Sequence, residues 1–297
     1  MADSKLSALT EISVPALADE LYMGDVSPSA ISNKVTAQRA LGLLPFVCNG
    51  RLTLTSNTPV TTADVTGATS IYFTPYMGDR IAIYDGTRWI LYAFTELTLA
   101  LGTLTSGLPY DVFIYDNAGT LTLELLAWTN GTTRATAVVL QNGVLCKSGA
   151  LTRRLLGTFY TTSTTATEDS ETNRYLANVY NRELRSLQGG ATGSHTYATA
   201  AARNWNDGTT TQIACVCAIA SGIQLGVSGD TNGTAFLMIG VDGSASFNQR
   251  THVNGSASWS GNSRGFELAV GRHTFVVQEY GGSGTLTEAY SAGVILL

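Results

Sequence analysis

The groups in this 297-residue chain with the most chemistry to offer are its carboxylates, thiols and imidazoles, and their spacing carries no catalytic signature. Cleaving a glycan takes two carboxyl groups facing each other across a cleft, one of them raised in pKa. Glu267, Glu279 and Glu288 are available, yet no spacing brings two together. Glu279, within Val276-Val277-Gln278-Glu279-Tyr280, reads as an outward-pointing residue of a half-exposed strand. Cys215 and Cys217 lie two apart in an apolar run, so a strand puts both on one face. With Cys48 and Cys146 they read as buried free thiols, because two thiolates without neighbouring Cys or His partners make an incomplete zinc site. His195, His252 and His273 supply no metal spacing, and no Gly-x-Ser-x-Gly elbow, phosphate-cradling loop or zinc helix occurs. The chain therefore reads as non-enzymatic, without catalytic, cofactor-binding or metal-binding residues.

The tryptophans offer a different chemistry, since aromatic rings stack on sugar faces and anchor interfaces. Trp205 lies between Asn204 and Asn206, and Trp259 between Ser258 and Ser260, both in polar loop sequence. Each is either a ring folded over the end of a sandwich or a surface contact for a glycan or receptor. Trp89 and Trp128, in apolar surroundings, read as core. Asn130-Gly131-Thr132, Asn232-Gly233-Thr234 and Asn254-Gly255-Ser256 match the glycosylation sequon, but Asn-Gly is also what a tight turn requires, and they read as turns.

The elements that must carry these residues are strands. Short Thr/Val/Ile/Tyr runs are closed repeatedly by Asp85-Gly86, Asn130-Gly131, Asn142-Gly143, Asp207-Gly208, Asn232-Gly233, Asp242-Gly243 and Asn254-Gly255. Asn-Gly and Asp-Gly supply the positive φ that two-residue hairpins need, so the chain reads as all-β, built from serial antiparallel hairpins. Charged residues make up 13% of the chain, about half the usual share, and the net charge is −5. Such a neutral, hydroxyl-rich surface is unsuited to neutralising phosphates, which argues against nucleic acid. No apolar run approaches the ~20 residues of a membrane span, and the first residues lack a signal peptide's basic start and apolar core. Synthesis and folding in a cytoplasm are expected.

Residues 1–45 differ from the rest. Pro15 interrupts an irregular apolar pattern over residues 4–21 and favours at most a short helical turn after it. Residues 21–26 and 31–36 read as two strands of a hairpin, followed by a short helix over 37–41. A hairpin this small cannot bury its own apolar side chains and needs a partner. From 46 to 165 three hairpins are expected, across Asp85-Gly86, 116–119 and Asn142-Gly143, forming a compact barrel or sandwich. Residues 166–181 read as an exposed linker after a Thr-rich stretch, with 174–185 compatible with helix or strand. Residues 182–297 carry strands at the spacing of a β-sandwich.

The opening pattern Lys5-Leu6-Ser7-Ala8-Leu9, then residues 18–25, then Ser32-Asn33-Lys34-Val35-Thr36, resembles the attachment module of many tailed-bacteriophage head-fibre and tail-fibre proteins. The stretches 50–55, 81–86, 110–116 and 128–130 resemble a β-domain common in hypothetical phage structural proteins. The resemblance implies a virion protein: a short fibre, decoration or adaptor component, homotrimeric, fastened to capsid, collar or tail proteins. It implies that Leu6, Leu9, Leu21, Tyr22, Ile31 and Val35 belong to the anchor and that the C-terminal sandwich is distal. A second expectation is a host receptor or glycan reader acting through Trp205 and Trp259. A third, less favoured, is a capsule-degrading enzyme. Long fibres carry repetitive shafts, and this chain has none.

Overall fold

β-Branched and aromatic residues alternating with small polar ones suit a pleated, half-buried surface, and the chain is all-β accordingly. The computed structural model describes residues 20–23, 33–36, 45–245, 251–254 and 260–297. Among them the only helical element is one 3-10 turn, Trp205–Asp207. β1 (Glu20–Met23) and β2 (Asn33–Thr36) form an antiparallel hairpin with Leu21 opposite Val35, and among the described residues they pair with no other strand. The expected helix at 37–41 lies outside the described residues.

The middle part begins with β3 (Gly50–Thr53), β4 (Val65–Ala68), β5 (Ser70–Pro75), β6 (Arg80–Tyr84), β7 (Trp89–Ala93) and β8 (Leu97–Ala100). It continues with β9 (Pro109–Asn117), β10 (Thr120–Ala127), β11 (Val138–Gln141), β12 (Val144–Lys147) and β13 (Ala150–Tyr160). All three expected hairpins form, β6 with β7, β9 with β10 and β11 with β12. At two of them the turn residues take left-handed backbone: Ala118 at φ 50° with Gly119 at 93°, and Asn142 at 51° with Gly143 at 84°. The sheets do not close into a barrel; β3-β5-β8, β6-β7 and β10-β9-β13-β12-β11 enclose a core of Leu52, Ile71, Phe73, Ile81, Val112, Ile114 and Phe159.

The stretch expected as an exposed linker is mostly buried, with only Glu171 and Thr172 exposed. It holds β14 (Thr167–Asp169), β15 (Asn173–Arg174) and β16 (Leu176–Asn178), with Thr167, Asp169, Arg174, Leu176 and Asn178 buried. β14 pairs with β4 of the middle part, and β15 pairs in parallel with β19 (Ile213–Cys217) of the C-terminal part, the one parallel pairing among the described strands. β16 returns to the middle sheet on β13. Low complexity marks the preceding turn at 161–166, where Thr162 and Ser163 amides donate to Ala166 O. Burial resumes immediately afterwards, so residues 174–185 contain a strand and no helix.

The C-terminal part contains β17 (Leu184–Thr196), β18 (Ala202–Asn204), β19, β20 (Ser221–Thr231), β21 (Thr234–Val241), β22 (Ser244–Ala245), β23 (Thr251–Asn254), β24 (Ser260–Leu268), β25 (Gly271–Tyr280) and β26 (Thr285–Leu296). The sheet β17-β26-β20-β24 faces β21-β25-β19 across Leu187, Ile223, Leu225, Val227, Ile213, Phe275, Val277 and Ile295. β20 shows the expected alternation, every odd residue from 221 to 231 being buried. The C-terminal stretch ends in one long strand, β26, of 12 residues. Asn232-Gly233 closes no hairpin, because β20 and β21 belong to different sheets. Asn-Gly marks where a chain reverses; whether its flanks pair depends on which sheet each flank completes.

At Gly157, where β13 bulges against β9, an added Cβ would stand 2.1 Å from the Ala177 carbonyl oxygen. Gly157→Ala must therefore push β16 off β13 and is expected to cost about 2–3 kcal/mol. Urea unfolding would read this as a lower midpoint at unchanged m-value.

Candidate functional site

The anchor hypothesis depends on how the N-terminal segment meets the body, and that joint is built around one arginine. Arg154 opens a continuous run of buried residues in β13, 154–159, and is 0% exposed. Its Nη1 donates to the carbonyls of Pro45 (2.9 Å), Val47 (2.8 Å) and Ala82 (2.8 Å), and Nη2 to Phe46 (3.4 Å). The Tyr180 ring lies 4.3 Å from the guanidinium carbon, and among the described residues no carboxylate pairs with it. A buried charge needs partners for its donors, and here three successive backbone carbonyls of 45–47 take the two Nη groups, while the buried Nε has no hydrogen-bond partner. Asn181 Nδ2 extends the grip, donating to Cys48 O (2.8 Å) and Gly50 O (3.0 Å). The chain is thus fixed to the body at the residues that follow the N-terminal segment.

Of the anchor residues expected from sequence, Leu21, Tyr22 and Val35 lie in the β1–β2 hairpin. Leu6, Leu9 and Ile31 lie outside the described residues. Trp259 also lies outside them.

Further arginines tie the middle part to the C-terminal part. Arg134 donates to Asp111 (Nε, 2.7 Å) and to Ala218 O (2.7 Å), with Thr158 Oγ1 donating to the same buried Asp111 at 2.6 Å. Arg51 reaches Leu297 O (3.2 Å) and Asn181 O; burial draws its pKa down to about 10, still a cation at neutral pH. Arg185 donates to Thr61 O (2.6 Å) and shares Asp169 with Arg174, at 3.0 and 3.2 Å. Beside them is a cavity of about 10 Å³, room for one water.

Trp205 does not present a stacking face, for it is 1% exposed and its ring meets His195 edge-on at 4.6 Å. What the loop around it does is seat a carboxylate. Glu279, expected to point outward, is 0% exposed. Oε2 accepts from His195 Nε2 at 2.6 Å, while Oε1 accepts from Arg203 Nε at 2.7 Å and from the Asn206 amide at 3.2 Å. Because a carboxylate only accepts, His195 carries its proton on Nε2. The reason for the reversal is that β25 is an interior strand between β19 and β21, buried on both faces. The continuous run Phe275-Val276-Val277 carries that signal in the sequence; the partners, 76 and 84 residues away, carry none. Glu267 is exposed and Glu288 half-buried, so the three carboxylates do not converge.

Cys48, Cys146, Cys215 and Cys217 are buried and free. Burial pushes Cys48 up and Cys146 up to about 11. Cys217 is held down by the hydrogen bond from Cys215, which is itself raised by it. Trp89 and Trp128 are in the core, Trp128 stacked on Arg134 at 4.6 Å.

Arg154→Met would remove a buried cation and take its donors from four carbonyls, of which Val47 O keeps the Ala82 amide, and a loss of about 3 kcal/mol is expected, together with new protease cleavage near residues 45–48. Glu279→Gln, which leaves Arg203 and His195 around a neutral amide, is expected to cost a similar amount, about 3 kcal/mol. Thermal unfolding of each variant, and limited proteolysis of the first, checks both; a proteolytic pattern unchanged in Arg154→Met would show that the joint is held by other contacts.

No family model and no curated protein matches the chain. Among solved structures it is similar to the insecticidal delta-endotoxin Cry8Ea1 from Bacillus thuringiensis, at 10% identity and TM-score 0.24, over 95% of this chain and 59% of that one. It is also similar to BuGH86 in complex with neoagarooctaose, at 9% identity and TM-score 0.23, over 78% of this chain and 32% of that one. A third likeness, to an exo-beta-1,3-galactanase from Phanerochaete chrysosporium, has 9% identity and TM-score 0.19, over 80% and 84%. The chain thus spans less than two thirds of the first two, and likenesses this distant carry no functional inference.

Proposed function

We propose that this chain is a non-enzymatic structural component of a phage particle, a short fibre, decoration or adaptor protein. Its N-terminal segment fastens it to a capsid, collar or tail protein, and its β-body projects outward. The observation that carries this reading is the contrast at the joint. β1 and β2 pair only with each other among the described strands, whereas the next described backbone, at 45–47, is bonded to the buried Arg154. A hairpin of that size needs another surface to bury its apolar side chains, and a fixed exit lets load on it pass into the body. The resemblance of residues 5–9, 18–25 and 32–36 to phage attachment modules supports the same reading. A homotrimer is part of the proposal, since appendages of this kind are usually trimeric and a small anchor gains avidity by repetition. The C-terminal sandwich is taken as the distal part.

The test uses the full chain in particles assembled in its presence. Leu21→Asp with Val35→Asp, which charges the paired centre of the hairpin, is expected to leave the melting temperature of the body unchanged and to cut incorporation at least tenfold, a loss of about 1.4 kcal/mol or more. Incorporation at the wild-type level would sink the anchor. Sedimentation of the free chain as a monomer at all concentrations would sink the trimer.

A further inference from the structure

An open groove of about 630 Å³ lies on the body between the turn joining β6 to β7 and the turn joining β12 to β13. It is lined by Tyr84, Gly86 and residues 149–153. We propose that this groove is a binding subsite for a saccharide that bears a carboxylate. The proposal goes beyond the virion reading and stands independently of it.

The chemistry of the walls selects the ligand. Tyr84 supplies a half-buried ring, Leu151 an apolar patch, Thr152 a hydroxyl and Arg153 the only charge among the described residues lining the groove. Sugar rings present C–H faces that stack on an aromatic ring and hydroxyls that hydrogen-bond to side chains and backbone. A guanidinium adds selectivity for a carboxylate through paired N–H donors. Arg153 is bonded through Nε to Glu124, which also takes Lys147 Nζ at 2.6 Å. Two cations on one carboxylate leave this spot positive, on a chain whose net charge is −5. An anionic ligand is therefore drawn here and repelled by the chain's overall charge.

The walls are also fixed in advance, which lowers the ordering cost of binding. Tyr84 leans on Trp89 with ring centroids 5.6 Å apart, and Trp89 Nε1 donates to Asn142 Oδ1 at 3.1 Å. Arg153 lies 4.6 Å over the Tyr115 ring. Gly86 and Gly149, both at positive φ, keep the two turns low, with nothing within 4 Å of where a Cβ would stand. The volume lies within the roughly 300–1,000 Å³ of small-molecule sites.

The intact chain would be titrated by calorimetry with tri-galacturonate and, separately, with neutral cellotriose. Tri-galacturonate is expected to bind with Kd on the order of 1 mM, at least tenfold more tightly than cellotriose, and more weakly as salt rises. Arg153→Met should remove that preference. Ala150→Trp, which fills the groove from the position opposite Lys147, should abolish binding. Equal affinity for the two sugars, binding retained in Ala150→Trp, or no binding of tri-galacturonate at about 10 mM would each overturn the proposal. Incorporation into particles is expected to be unaffected by Ala150→Trp, so failure here and failure of the anchor remain distinguishable.

Discussion

Arginine donating to backbone carbonyl oxygen is the interaction on which the architecture depends. A chain with only 17 Lys and Arg places at least five arginines where segments distant in sequence meet. Arg154 holds 45–47 against β6, Arg51 holds β3 to Leu297, Arg134 reaches Ala218, Arg182 reaches Leu296 and Arg185 reaches Thr61. A guanidinium has five donors in a rigid plane and no acceptor, so it can satisfy several carbonyls that ladder pairing leaves open. Where many short strands end at different sheets, such open carbonyls are unavoidable. The arginines supply donors at these places, with the planar guanidinium setting the direction of each contact, although the Nε of Arg51, Arg154 and Arg182 has no hydrogen-bond partner.

The same constraint explains why the chain does not divide into two lobes on a string. β14, β15 and β16 are too short to stand alone, yet each completes a different edge: β14 on β4, β15 on β19, β16 on β13. Asp169, shared by Arg174 and Arg185, lies within this segment, and Asn178 bonds to both the amide and the carbonyl of Leu52. Movement of the C-terminal sandwich relative to the middle part would therefore break ladder hydrogen bonds and buried ion pairs together. Load applied to the C-terminal sheets would therefore pass to the middle part through bonded backbone.

Glu279 shows the cost and the use of burying charge. Isolated, a carboxylate in that position would be strongly disfavoured; with His195, Arg203 and the Asn206 amide it becomes the fixed point around which the loop bearing Trp205 is arranged. Asn206 and Asp207, at φ 47° and 54°, take up the turn that brings that amide inward. The tryptophan that looks like a contact residue is thereby a lid over the end of the sandwich.

What the sequence determined by itself is local: strand type, the three middle hairpins, the N-terminal hairpin at Leu21 and Val35, the buried thiols and the core positions of Trp89 and Trp128. Those follow from period-two alternation and turn chemistry, which act over a few residues. Tertiary structure alone decided which sheet each strand joins, so Asn232-Gly233 bridges two sheets, residues 166–181 interlock the halves and Thr285–Leu296 forms one long strand. It also decided the fate of charged and aromatic side chains. Arg154 and Glu279 are hydrophilic in composition yet buried, because their partners at 45–47 and at 195 and 203 are brought near only when the sheets assemble, and no short-range pattern encodes a contact across a hundred residues.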